Sequence, residues 1–152
     1  MEMGDVAAAI GKGLVAGAVG TAAMTLSSTL EMKARHREAS SAPADAASKV
    51  LGVHPEGDKA KARFSTGVHW AYGTSWGAVR GLLSAVGLPG PAATIAHFGL
   101  VWGSETQMLP KLDVAPPITE WGSTEVAIDV GHHAVYALAT GLAYRWLETH
   151  SA

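Results

Sequence analysis

The stretch GLVAGAVGTAAMTLSSTL, Gly13 to Leu30, runs eighteen residues without a charge. A helix that crosses a bilayer needs roughly 20 mostly apolar residues. This run reaches that length with the residues on either side of it. Wound at 3.6 residues per turn, it puts Gly13, Gly17, Gly20, Met24, Ser27 and Glu31 on one face. GLVAG is a G-x-x-x-G, and two small residues four apart let a neighbouring backbone come close. Gly13, Gly17 and Gly20 are therefore expected to pack helices, within the chain or between subunits. A phosphate loop is excluded, because the lysine and hydroxyl residue it needs are missing here.

Three further apolar runs follow. One goes from Phe64 to about Val86 with only Arg80 inside it, one from Pro91 past Glu105 to Leu109, and one from about Val126 to Leu147. LPGP, Leu88 to Pro91, breaks the second from the third. LPKLDVAPP, Leu109 to Pro117, ends the third. The chain thus reads as one all-α domain over 1–152, a four-helix transmembrane bundle. Its helices lie at about 8–31, 64–86, 91–109 and 124–147, with a connector at 32–63. After Pro43, the segment Ala44 to Leu51 suits a short amphipathic helix on the membrane surface. The competing fold is a soluble, alanine-rich four-helix bundle with buried histidines.

Composition narrows the function classes. Hydrophobic residues make up 48% and charged residues only 16%, where an average soluble domain is nearer a quarter charged. Mean hydropathy is still only +0.18, because the connector is charged and the helices are rich in small residues. A net charge of −2 offers no basic surface for nucleic acid. The absence of cysteine removes disulfides, thiolate metal sites and cysteine nucleophiles. MEMGDVAAAIGKG is acidic before its first lysine, unlike the basic start of a signal peptide. Lys33, Arg35, Arg37, Lys49, Lys59, Lys61, Arg63 and Lys111 sit in the two hairpin connectors. The positive-inside rule then puts 32–63 and 110–123 in the cytoplasm and both termini outside.

The two halves echo each other. His69-Trp-Ala-Tyr72 followed by Gly77 matches His133-Ala-Val-Tyr136 followed by Gly141, and Glu31 and Glu105 each precede a proline by twelve residues. Two repeated helical hairpins would give this pattern. Polar groups concentrate at one end of the helices so placed. On the last helix Glu125, Asp129, His132, His133, Tyr136 and Thr140 recur at spacings of three and four. The up-down topology brings Glu31, His69, Glu105, Asp129, His132 and His133 to one membrane side, a candidate polar cluster or metal site. Asp129, one turn before His133, can orient that imidazole, as carboxylates do behind metal-bound histidines. His132 and His133 lie 100° apart on the helix, so only one of them need face the cluster. A di-iron carboxylate site would show two Glu-x-x-His repeats, and only Asp129-x-x-His132 comes near. Bis-histidine haem needs depth-matched histidines on facing helices, and His97 has no clear match. Arg80, far from Glu105 and Asp129 in this topology, is expected to meet water or headgroups. No Ser-His-Asp constellation or nucleophile elbow is present.

MLPKLDVAPPITEW followed by GHHAVY resembles the YagU-like inner-membrane proteins, a family of unknown function. Pro110, Pro116, Pro117, Trp121, Gly131 and His132 carry the likeness. Over its whole length the chain also looks like an actinobacterial type of hypothetical membrane protein. The resemblance implies a polytopic protein of the bacterial inner membrane with no transferable catalytic residue or cofactor. It also implies basic termini on the inside, opposite to the orientation that loop charge predicts. The expected partners are the lipid bilayer and a second copy of the chain or another membrane protein. An accessory, interaction or transport-linked role leads. A metal- or haem-binding redox protein using the His/Asp/Glu cluster is the alternative.

Overall fold

The computed structural model describes residues 2–88 and 90–150. Pro89, part of the expected LPGP break, lies outside them. The described residues form five α-helices and one 3₁₀ turn, with no strand among them: α1 (Met3–Arg35), α2 (Ala42–Leu51), α3 (Asp58–Ala85), α4 (Gly90–Lys111) and α5 (Ser123–His150), the 3₁₀ turn Ile118–Glu120 preceding α5. The four long helices cover the four apolar runs and extend past them. α3 begins six residues before Phe64, taking in the charged stretch from Asp58 to Arg63.

Local chemistry sets the ends. The backbone N–H of Glu2 donates to Asp5 Oδ2 at 3.0 Å, satisfying one orphan donor where α1 starts. His36 closes α1 in the left-handed region, at φ 54°. Pro43 opens α2, and Gly52, at φ 66°, closes it with a geometry that costs glycine nothing.

α1 is the central helix, packed on α3 along one side and α5 along the other, while α4 leans on α5 and α3. Glycines set how close these helices come. A Cβ on Gly17 would stand 2.7 Å from the Thr74 carbonyl oxygen and 2.8 Å from Gly77 Cα. Gly13 meets the Gly77 carbonyl in the same way, and a Cβ on Gly20 would lie 2.9 Å from the Tyr136 carbonyl oxygen. The α1 glycine face is therefore used up inside the chain. Of the two expected uses, within the chain or between subunits, the first is the one observed: this face packs against α3 and α5. In both hairpins the echoed glycine marks a close approach to the preceding long helix, Gly77 to Gly17 and Gly141 to the Thr94 side chain.

Among the described residues one helix, α1, is long and apolar enough to cross a membrane, with a mean hydropathy of 1.5 over its best eighteen residues. Several polar residues of the long helices, α1 included, lie inward. Arg80, His97, His133, Thr21, Thr106 and Thr140 are buried, while Val15, Leu26, Leu30, Ile95, Leu138, Leu142 and Trp146 are exposed. Arg80 corrects the expectation that it reaches water. It is 0% exposed, with its guanidinium carbon 4.4 Å from the centre of the Tyr144 ring. The close approach of Gly81 to Ala9 draws α3 against α1 at this level. Arg80, one residue away, is enclosed by the bundle rather than left at its rim.

Candidate functional site

α5 turns His133, Tyr136 and Thr140 inward, one helical stripe at spacings of three and four. α4 presents Glu105 to the same level. His133 Nε2 lies 2.5 Å from Glu105 Oε2. On the other side of the ring, Nδ1 is 2.9 Å from the Asp129 carbonyl oxygen and 3.6 Å from its Oδ1. The expected orientation of His133 by Asp129 is thus made chiefly through the main chain. Both ring nitrogens face oxygen acceptors, and the imidazolium is the form that donates to both. Asp129 is held in turn by Trp102, whose Nε1–H donates to Oδ2 at 2.7 Å. Ligand atoms of Glu105, Asp129 and His133 all lie within 4.8 Å of one another.

The six residues expected to form one cluster separate into three groups. Glu105, Asp129 and His133 form the first. In the second, His132 Nδ1 pairs with Ser27 Oγ at 2.8 Å and its Nε2 lies 3.7 Å from Glu31. Glu31 is also gripped by Arg37, whose Nε–H reaches both carboxylate oxygens at 2.9 Å. This carboxylate holds the Arg37 proton more tightly than usual. His69 stands apart, its Nε2 2.8 Å from Thr25 Oγ1 on α1. The 100° between His132 and His133 decides the split: one points across to α4, the other to the end of α1.

Above Glu105 and His133 opens a cavity of about 330 Å³. α1, α3, α4 and α5 form its walls, among them Met24, Tyr72, Trp76, Val101 and Met108. α2 roofs it with Pro43, Ala46, Ala47, Val50 and Leu51. This helix is anchored by Lys49, whose ammonium donates to the carbonyl oxygens of Leu112 and, at 3.1 Å, Asp113. The amphipathic helix expected on a membrane surface also lies against the bundle, with Ala46 buried and Val50 and Leu51 still largely exposed. Tyr136 fixes the α3 side of the cavity, its hydroxyl donating to the Gly73 carbonyl at 2.6 Å.

Sequence reading missed Trp102, Thr25 and the role of α2. Trp102 lies three residues before Glu105 and so shares its face, a signal that spacing alone carries. The roofing by α2 has no such signal, since nothing in its ten residues names the surface it covers. His97 is buried against Tyr136 at 5.5 Å between ring centres, with Nε2 committed to the Trp76 carbonyl at 3.0 Å. Comparison with protein-family models, curated proteins and solved structures finds no match.

Proposed function

We propose that the chain is a small polytopic membrane protein of the transport-linked kind. In this reading α1, α3, α4 and α5 cross the bilayer, and the Glu105–His133–Asp129 centre under the α2-roofed cavity is its working site. The carrying observation is the inside-out placement of side chains. A charged arginine and two histidines are buried while leucine, valine, isoleucine and tryptophan face outward along the long helices. Water selects the reverse arrangement; lipid tolerates ionisable groups only where they face the bundle interior. Inward polar residues also account in part for the lower mean hydropathy of three of the helices.

Helix length points the same way. α4, the shortest long helix at 22 residues, spans about 33 Å, enough for a hydrocarbon core of about 30 Å. The YagU-like resemblance supports the bacterial inner membrane as the placement, and loop charge alone supports connectors 32–63 and 110–123 in the cytoplasm. Carbonate washing of membranes from expressing cells tests the reading. The protein is expected in the pellet, and its recovery in the supernatant refutes membrane insertion.

A second reading has one observation of its own. The 4.8 Å grouping of Glu105, Asp129 and His133 has the ligand types that bind a divalent transition metal. Elemental analysis of purified protein is expected to find stoichiometric zinc, manganese or iron under that reading. A metal content well below one per chain would end it.

A further inference from the structure

The cavity has a chemical bias that its size alone does not reveal. No lysine or arginine is among the described residues that line it. Lys49, the one base on the roofing helix, is turned to the Leu112 and Asp113 carbonyls, and Arg80 is packed on Tyr144. An anion entering here would lose its water and meet one cationic group at most, the His133 ring that Glu105 already pairs. The floor is biased the other way. With both carboxylates ionised, Glu105 in the lining and Asp129 outside it, against His133 Nδ1, set two negative charges against the single positive charge of an imidazolium at His133, a net of −1; with a neutral ring it is −2.

The walls add to this bias. Tyr72 and Trp76 meet edge to face with ring centres 6.1 Å apart, and both line the cavity. Aromatic faces attract cations, tryptophan most strongly. Met24 and Met108 add polarizable walls that adapt to shape. At about 330 Å³ the chamber is at the small end of ligand pockets.

We infer that this cavity binds a small organic cation with an apolar body, an amine or quaternary ammonium, its charge on Glu105 and its body against Tyr72, Trp76 and the α2 roof. The inference rests on the transport-linked reading of this site and names the class of molecule it would handle. A divalent metal would use Glu105 and His133 but would leave the apolar chamber above them without a purpose.

The test uses the full chain in lipid nanodiscs and radiolabelled benzyltrimethylammonium as probe. Saturable binding is expected, displaced by the unlabelled cation and unaffected by benzenesulfonate at the same concentration. Glu105→Gln is expected to weaken it about tenfold or more, the equivalent of one lost charge contact, whereas Glu105→Asp keeps the charge and retains measurable binding. Ala47→Trp, filling the chamber from α2 without touching the floor, is expected to abolish it. Thermal melts of each variant show which are folded, and any folded member of the set decides the question. No saturable binding by the wild type, equal competition by benzenesulfonate, or unchanged binding in a folded Glu105→Gln or Ala47→Trp variant overturns the inference. Carbonate extraction of the same membranes separates the two proposals. Pelleted protein that fails to bind the cation leaves membrane insertion standing, and cation binding by extracted protein leaves the cavity assignment standing.

Discussion

Gly17→Ala tests the helix contact on which the site geometry depends. The new Cβ would stand 2.7 Å from the Thr74 carbonyl oxygen. Ordinary van der Waals contact begins near 3.4 Å, so α1 and α3 must separate by about 0.7 Å at this level (3.4 minus 2.7). The opposing atoms are backbone and cannot swing aside as a side chain would. Overpacking of a close contact costs about 1–3 kcal/mol, and replacing a mid-helix glycine returns up to about 1 kcal/mol of helix propensity. Gly11→Ala is the matched control. It lies in the same helix, gains the same propensity, and has nothing within 4 Å of the place its methyl group would take. The two variants should differ by about 1–3 kcal/mol, Gly11→Ala at or above wild-type stability and Gly17→Ala below it. At about 2–4 °C per kcal/mol for a chain of this size, their melting temperatures in detergent should be separated by about 2–12 °C. Equal melting of the two would refute the close packing of α1 on α3.

His133→Ala should destabilise the protein far more than His132→Ala. The first leaves Glu105 and Asp129 facing each other without a cation, a loss of about 3–5 kcal/mol for a broken buried pair. The second removes a half-buried hydrogen bond to Ser27, worth about 1 kcal/mol; similar melting temperatures for both would contradict the assignment of His133 to the centre. Trp102→Phe keeps an aromatic ring but removes the N–H that Asp129 accepts, and should cost about 1–3 kcal/mol for the orphaned carboxylate oxygen. Tryptophan indole N–H resonances provide an independent check, since the hydrogen-bonded Trp102 signal should move when Asp129 is changed to Asn.

Helix content was written plainly in the chain. Four apolar runs, broken at LPGP and at LPKLDVAPP, fix where the long helices lie, and Pro43 followed by Gly52 brackets α2. Periodicity also put Asp129, His133 and Tyr136 on one stripe of α5. Periodicity fixes the angle between residues on one helix but not which way that helix is rotated in the bundle. For this reason one cluster of six was expected where three separate groups exist. The rotation is set by contacts far apart in sequence, Gly20 against Tyr136 and Gly141 against Thr94, and it sends His133 to Glu105 and His132 to Glu31.

The expectation for Arg80 failed for a related reason. Water was assumed to fill the Arg80 end of the bundle. Tyr144 from α5 occupies the space instead. The sequence by itself determined the helices, the polar faces and the small residues that permit close packing, because each depends on neighbours three or four positions away. Tertiary structure alone decided that the glycines serve contacts within the chain, that His133 rather than His132 meets Glu105, and that α2 covers part of a cavity. Those outcomes depend on which faces meet across long separations, and backbone-to-backbone contact at glycine leaves no chemical label in the sequence of the partner helix.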